Sequence, residues 1–299
     1  MISPALIARW FEALPPPIRG VVWMLIAGAC LTGMAAAVRQ LSSGLHTFEI
    51  VFFRTMLGLP FMLPWLARVG LGAMRTNRLG TFALRGMVTM VASSCYFGGL
   101  ALIPLADATA IMFTRPLFGA LLAMVVLHEV VRGRRWTAMA VGFFGVLIVL
   151  RPAFDEMSVG IILLFVAALF ASGAAVLVRH LARSESPDTI TMYYAITLTL
   201  LSAVPAAIVW RTPTWDEAVW ILVLGFLGTL GQRAMSRAFA ATDVSVVLPV
   251  DFTRLLFAAA IGFALFGERP EIWTWIGGTV IFASTILLAR GEAAARPKP

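Results

Sequence analysis

The stretch FTRPLFGALLAMVVLHE, residues 113–129, returns as FTRLLFAAAIGFALFGE at residues 252–268. Each copy begins with the triplet FTR, continues as an apolar run and ends in a glutamate. Both belong to a longer alignment, of residues 113–151 with residues 252–290, which needs no gap at an offset of 139 and has eleven identities among 39 paired positions. Self-similarity at a period of about 140 residues indicates a chain built from two copies of one unit.

The composition excludes a soluble protein. Hydrophobic residues make up 60% of the 299 residues, the mean hydropathy is +0.92, and only 13% of the residues are charged, whereas soluble domains carry about 25% charged residues. Apolar runs recur from residue 20 to residue 290, and about 20 helical residues are enough to cross a hydrocarbon core of about 30 Å. Any function must therefore be carried by membrane helices and their short loops.

Polar residues, glycines and prolines divide the apolar sequence into ten predicted membrane spans. Several connections, such as IPLAD at residues 103–107, are only a few residues long, so consecutive helices are expected to be antiparallel neighbours. The spans are predicted at residues 20–41, 47–67, 82–103, 106–128, 134–151, 158–181, 189–210, 216–238, 243–266 and 272–290.

The number of spans in each copy determines how the copies are related. VRQL at residues 38–41 matches VRHL at residues 178–181 at an offset of 140, so the duplication extends into the first and sixth spans. A unit that crosses the membrane five times meets it in the opposite sense from its copy. The predicted fold is an all-α membrane protein whose ten transmembrane helices form two inverted five-helix repeats. Its predicted parts are a cytoplasmic interfacial segment at 1–19, the repeats at 20–151 and 158–290, and a disordered cytoplasmic tail at 291–299.

The basic residues predict the orientation, because cytoplasmic loops carry an excess of Lys and Arg. With the N-terminus inside, fourteen basic residues fall on the cytoplasmic side and four on the other side. Both termini of this multi-pass membrane protein are therefore predicted to be cytoplasmic. This bias accounts for the net charge of +8, so the expected partners are lipid and a small molecule, and not nucleic acid.

The arrangement of motifs resembles the EamA family of the drug/metabolite transporter superfamily. The resemblance lies in two five-span halves whose fourth spans end in LHE or FGE, before a span of the type AVGFFGVLIVLRP (residues 140–152) or WIGGTVIFASTILLAR (residues 275–290). Within the family the chain is most similar to the YddG-type exporters, which implies export of aromatic or other apolar amino acids and related metabolites. Inverted repeats suit alternating access around a central mid-membrane cavity.

Charged residues deep in the spans are the first functional candidates, since a charge at the bilayer centre costs about 2.5 to 3.5 kcal/mol on insertion scales. Arg115, Arg254 and Asp251 are the deepest. Asp251 and Arg254 are three residues apart on one helix and can pair with each other. Arg115 has no acid within a turn, so it must contact another helix, a water-filled cavity or the substrate. A bond to a substrate carboxylate and a structural contact between helices both remain open for each arginine.

Two prolines are predicted to loosen the backbone near the midplane of both repeats. Pro116 has no N–H for the carbonyl of Met112, and Pro249 has none for the carbonyl of Ser245. Irregular backbone near the midplane is where inverted-repeat transporters form substrate sites. Met112 and Ser245 are therefore predicted to line the pathway.

Aromatic side chains near these positions are candidates for stacking on a flat substrate. The residues in question are Tyr96, Phe113 and Phe252, and for each of them plain packing between helices is the alternative.

Other acids are expected to have structural roles. Asp107 and Asp243 lie at predicted helix starts, where a carboxylate can cap free N–H groups. Glu129 and Glu268 follow their arginines by 14 residues, about 21 Å along a helix, which is too far for an ion pair. They are expected to lie in the turn and to stabilise the start of the next helix. Glu49, near a span end, is expected to reach the interface.

Three functional classes are weighed from the sequence. A small-molecule transporter is favoured by the inverted repeats and the midplane arginines. An intramembrane enzyme is disfavoured, because the histidines lie singly and no GxSxG, HExxH or metal-ligand spacing occurs, so no catalytic residue, metal or cofactor is predicted. A receptor would not need midplane arginines. Lipophilic drugs and sugar-related metabolites are the alternative substrates, and the coupling ion, the direction of flux and the oligomeric state stay open, with a monomer compatible.

Overall fold

The structure is a computed structural model that describes residues 14–127, 133–150, 158–181, 184–241 and 250–295. These residues form eleven α-helices and a 3-10 turn at Leu71–Met74, and contain no β-strand. The helices are α1 (Pro16–Leu41), α2 (Thr47–Val69), α3 (Leu79–Leu102), α4 (Leu105–Met112), α5 (Arg115–Leu127), α6 (Gly133–Leu150), α7 (Val159–Leu181), α8 (Pro187–Ile208), α9 (Trp215–Ala241), α10 (Thr253–Phe266) and α11 (Ile272–Ala295).

Five of the described helices, α1, α2, α7, α8 and α9, are long and apolar enough to cross a membrane by length and composition alone. The fourth predicted span is not one continuous helix and is divided into α4 and α5. Several boundaries differ by a few residues from the sequence prediction, and two differ most. α1 begins at Pro16 rather than at residue 20, since proline at the first helical positions has the helical φ and needs no N–H partner. α11 continues to Ala295, past the predicted end at residue 290.

The helix pairs with the most extensive packing join one repeat to the other, and they occur in symmetry-related sets. α1 packs along α9, and its counterpart pair is α7 along α3. α2 packs on α8, and α6 on α11, so that each of these helices contacts its own counterpart. The fourth spans of the two repeats meet through α4 and α10. This arrangement is that of two repeats related by a pseudo-two-fold axis.

The counterpart helices α2 and α8 are antiparallel. Near the start of α2, the carboxylate of Glu49 accepts the backbone N–H of Arg211, which follows the end of α8 (2.8 Å). Beyond the end of α2, the carbonyl of Met74 accepts the hydroxyl of Tyr193 near the start of α8 (2.7 Å). Because counterparts run in opposite directions, the repeats are inverted and the chain is an all-α membrane protein of two inverted repeats.

Glycines bring α6 and α11 together at the same axis. A Cβ added at Gly142 would lie 2.6 Å from Ser284 Oγ, and one at Gly145 would lie 2.8 Å from the backbone nitrogen of Ile281. At the offset of 139, Gly142 corresponds to Ile281 and Gly145 to Ser284, so the two contacts exchange with each other. Small residues allow this close approach, as is common between membrane helices.

Both ends of the bundle are tied between the repeats. At one end, called here the Arg78 end, Arg78 Nη1 lies 2.7 Å from His180 Nε2, and a bond there requires the imidazole nitrogen to accept. At the opposite end, called the Glu268 end, Glu268 makes contacts described below. Glu49 also lies at this end and is 1% exposed. The expectation that Glu49 reaches the interface is therefore wrong, and hydrogen bonds to His46 and Arg211 satisfy its carboxylate instead.

Candidate functional site

The fourth span of each repeat is interrupted at the FTR triplet. Between α4 and α5 the interruption is at Phe113 and Thr114, and in the second repeat it is at Phe252. The two threonines act alike: Thr114 Oγ1 donates to the carbonyl of Ile111 and Thr253 Oγ1 to that of Val250, each three residues back and each at 2.7 Å. The repeated threonine therefore accompanies a repeated irregular turn, at which backbone N–H groups donate to carbonyls three residues back.

Of the two prolines predicted to loosen the backbone, only Pro116 lies within the described residues. Pro116 is the second residue of α5, where its missing N–H is tolerated, and Met112 is the last residue of α4. The break therefore lies where the sequence predicts loosened backbone. Ser245, Pro249 and Asp243 fall outside the described residues.

The two interrupted spans meet at their aromatic residues. The rings of Phe113 and Phe252 are 5.5 Å apart between centroids. These residues are counterparts at the offset of 139, so their contact lies on the pseudo-two-fold axis. Phe252 also stacks on Phe282 of α11, with centroids 4.4 Å apart. Phe113 and Phe252 thus have the packing role that the sequence leaves as an alternative, and their position at the axis is central.

Arg115 is the first residue of α5 and lies deep in the bundle. It follows the start of α4 by ten residues, about 15 Å at 1.5 Å per residue and half of a hydrocarbon core of about 30 Å. Arg115 is nonetheless exposed. Arg254, Asp251 and Tyr96 lie within electrostatic range of its side chain. Its guanidinium has no hydrogen bond or ion pair within the described part of the chain. The exposed side chain of Arg115 therefore lies beside residues of α3 and of the second repeat.

Arg254 has more neighbours than its counterpart Arg115. Its Nη1 lies 3.7 Å from Asp251 Oδ1, with side chains 19% and 25% exposed, so the pair predicted from the sequence is present as an ion pair. Its stem rests on α1, since a Cβ added at Gly28 would lie 3.1 Å from Arg254 Cγ. The Arg254 Nε is buried and has no hydrogen-bond partner among the described residues. Part of this guanidinium is therefore unsatisfied.

Tyr96 of α3 lies near three arginine side chains. Arg54, Arg115 and Arg254 all lie within electrostatic range of its hydroxyl, and its side chain is partly buried. A tyrosine hydroxyl can donate or accept a hydrogen bond, so it can bind a solute beside the arginines. Of the predicted site residues, the structure thus brings Tyr96, Arg115, Arg254 and Asp251 together.

Arg54 is a member of this group that the sequence analysis does not assign to the site. Its Nη1 donates to the hydroxyl of Tyr194 at 2.8 Å, and its Cζ lies 5.7 Å from the centroid of Phe97. The guanidinium of Arg85 lies over the ring of Tyr194, 5.2 Å from its centroid. Arg54 and Tyr194 are counterparts at the offset of 140, and this repeat position could have identified the pair. Identity between the copies misses it because the two residue types differ.

Glu268 joins the two repeats at the Glu268 end. Gly267, at φ 66°, ends α10 and turns the chain back, so that Glu268 Oε2 accepts the N–H of Leu105 at 2.8 Å. Its Oε1 lies 2.5 Å from Arg39 Nη1. The glutamate therefore stabilises a helix start, as expected, but the helix is α4 of the other repeat and not the following helix. Its counterpart Glu129 lies outside the described residues.

Asp107 differs from its predicted role. Pro104, and not Asp107, precedes the first residue of α4, and Asp107 lies in the first turn. Its carboxylate accepts the hydroxyl of Thr274 in α11. The prediction of an N-cap at Asp107 is wrong because the cap position is set by the proline, whereas the acid is used for a contact between the repeats.

A separate cavity of about 670 Å³ lies at the Arg78 end, between the connection from α2 to α3 and the connection from α7 to α8. It contains none of the predicted site residues. Its lining residues are Met74, Arg75, Thr76, Asn77, Arg78, Leu79, Ser184, Glu185 and Tyr193.

The central arrangement can bind an anion beside a flat apolar group. Arg54, Arg115 and Arg254 supply guanidinium groups, which match carboxylates with two parallel hydrogen bonds. Phe113 and Phe252 pack on each other, and their partly exposed rings supply an apolar surface. No nucleophile is required for such a site, and its chemistry is recognition.

Proteins similar to this chain over nearly their full length are membrane transporters. An S-adenosylmethionine uptake transporter of Rickettsia bellii is 28% identical over 287 residues, covering 96% of this chain and 99% of that protein. A riboflavin transporter of Rhizobium johnstonii is 29% identical over 283 residues, covering 94% of each. The pseudopaline exporter CntI of Pseudomonas aeruginosa is 28% identical over 276 residues, covering 91% of this chain and 96% of that protein.

A solved crystal structure has the same fold, with a TM-score of 0.61 at 17% identity over 92% of this chain and 99% of that one. The sequence pattern of the EamA-like transporter family matches residues 18–151 and 158–290, which correspond to the two repeats. The family resemblance predicted from the sequence is confirmed, and the activity is transport of small molecules across a membrane rather than catalysis. The three relatives are named for solutes other than aromatic amino acids. This chain belongs to the EamA-like transporter family.

Proposed function

We propose that this transporter moves amino acids, aromatic or otherwise apolar, and related metabolites that carry a carboxylate, exporting them from the cytoplasm by alternating access. The observation that carries the proposal is Arg115, an exposed arginine at mid-membrane depth whose side chain has no partner among the described residues. An unpaired charge at this depth is costly, and a substrate carboxylate would offset that cost during transport.

The named relatives support a substrate with a flat group and a polar end, but they do not identify one particular solute. S-Adenosylmethionine is an amino-acid derivative with a flat base, and riboflavin has a flat ring system, while the named transporters include both uptake and export. A flat group and a polar end suit the aromatic rings and arginines of the central site. Amino acids with an apolar side chain combine the two features in a small molecule.

We extend the proposal to the setting of the protein. The bacterial relatives support an inner-membrane location. The charge bias of the loops supports both termini in the cytoplasm, so that the Arg78 end faces the cytoplasm. A monomer is sufficient, because both repeats of one chain supply residues to the central site.

Flux into proteoliposomes tests the proposal. Purified protein is assayed with labelled phenylalanine, tryptophan and methionine, each against its decarboxylated amine. We expect saturable flux of the amino acids and little flux of the amines, because only the former carry the carboxylate. Arg115→Gln should lower kcat/KM for the amino acids by about tenfold or more, whereas Arg269→Gln, at an exposed loop position, should not.

Two results would contradict the proposal. Equal flux of amino acids and amines would remove the role of the carboxylate, and saturable flux confined to lipophilic or sugar-related solutes would assign another substrate class. A loss of protein abundance in Arg115→Gln that matched its loss of flux would indicate a structural role for the arginine.

A further inference from the structure

The central site has more positive than negative charge. Among the described residues near Tyr96 there are three guanidinium groups, those of Arg54, Arg115 and Arg254, and one carboxylate, that of Asp251. Two positive charges are therefore uncompensated within this part of the molecule. In a medium of low dielectric constant such an excess is unfavourable, so the site has a strong preference for an anionic occupant.

The hydrogen-bond partners show where that excess is available. Arg54 is directed to the hydroxyl of Tyr194 and the ring of Phe97, and its donors are therefore partly used. Arg115 has no partner among the described residues. Arg254 approaches Asp251 only to 3.7 Å, which is beyond hydrogen-bond distance.

The buried Nε of Arg254 is an independent sign of a missing ligand. Polar atoms that are buried in native structures nearly always have a hydrogen-bond partner, and this one has none among the described residues. Arg115 and Arg254 are counterparts of one repeat motif, and each has free donors. The site therefore offers two separate places for an acidic group, related by the pseudo-two-fold axis.

We propose that the central site takes a solute with two acidic groups, such as a dicarboxylate, in which one group binds Arg115 and the other binds Arg254. The solute brings two negative charges, which together with Asp251 balance the three arginines. The hydroxyl of Tyr96, within electrostatic range of both arginines, supplies a further donor. This inference rests on the proposed function and selects, among the carboxylate-bearing metabolites that it covers, those with two acidic groups.

Matched solutes separate the two substrate classes. Proteoliposomes are assayed with glutamate against glutamine and with succinate against butyrate, pairs of similar size that differ in one negative charge. We expect kcat/KM to be about tenfold or more higher for the diacid of each pair, because the monoacid leaves the donors of one arginine unpaired.

Two variants should move this ratio in opposite directions. Arg254→Gln removes one acidic-group position, so the ratio should fall to about threefold or less. Asp251→Asn removes the competing carboxylate and should raise the ratio. Thermal unfolding in detergent and monodispersity are measured for each variant, and the wild-type ratio alone decides the question for any variant that does not fold.

The outcomes distinguish this inference from the proposed function. Saturable flux with equal kcat/KM for diacid and monoacid would overturn the inference and leave carboxylate transport standing. An unchanged ratio in a folded Arg254→Gln variant would also overturn it. Absence of saturable flux for any carboxylate would instead remove the proposed function itself.

Discussion

The fourth spans of the two repeats have the same kind of interruption and differ in charge. Both are interrupted at the FTR triplet, and both interruptions are supported by a threonine that donates to the carbonyl three residues back at 2.7 Å. The residue before the triplet is Met112 in the first repeat and Asp251 in the second. The duplicated motif therefore keeps the break in the helix, while one side chain beside it has diverged.

This difference determines how each arginine is satisfied. Asp251 lies three residues before Arg254 on the same span, and the two groups form an ion pair. Met112 offers Arg115 no such pair, and Arg115 is the more exposed of the two arginines. The acid of the second repeat, in place of the methionine of the first, therefore makes the surroundings of the two arginines distinct.

The largest effect on transport is expected when the first repeat is given the acid of the second. Met112→Asp would place a carboxylate three residues before Arg115, where it competes with an anionic solute. We expect kcat/KM for carboxylates in proteoliposomes to fall by about tenfold or more. Met112→Asn is the matched control of nearly equal size, and an equal loss in that variant would show that polarity or packing, and not charge, is responsible.

A smaller effect is expected at the other end of the repeated motif. Glu268→Gln removes the ion pair with Arg39 while it keeps an acceptor for the N–H of Leu105. The variant should lose about 1 to 2 kcal/mol of stability, seen as a lower apparent unfolding temperature in detergent. Arg269→Gln, next to it in an exposed position, should unfold like the wild type. An unchanged unfolding temperature in Glu268→Gln would mean that the ion pair does not join the repeats in solution.

The smallest effect on stability is expected at the threonine that the two fourth spans share. Thr114→Val and Thr253→Val each remove one neutral hydrogen bond to a backbone carbonyl at 2.7 Å. Each should cost about 1 kcal/mol, and the two unfolding temperatures should fall by similar amounts. A large effect of one variant without the other would show that the two breaks are not equivalent.

The sequence predicted the repeat, its inversion and the central position of Arg115, Arg254 and Asp251, because identity at a fixed offset and charge within apolar runs are both local patterns. It did not predict the partners that cross between repeats. Glu268 was expected to act on the helix that follows it, yet it binds the start of α4, and Arg54 binds Tyr194. Such contacts depend on which helices pack together, which no local pattern encodes.

The sequence by itself determined that the chain is a membrane bundle of two inverted halves with arginines at mid-membrane, because hydropathy, span number and charge placement leave few other arrangements of five crossings repeated twice. Only the tertiary structure decided which charges are paired. Asp107, Glu49 and Glu268 are used for contacts between helices, whereas the side chain of Arg115 has no hydrogen bond or ion pair among the described residues. Pairing depends on distances between side chains of different helices, and those distances exist only after the two repeats have packed.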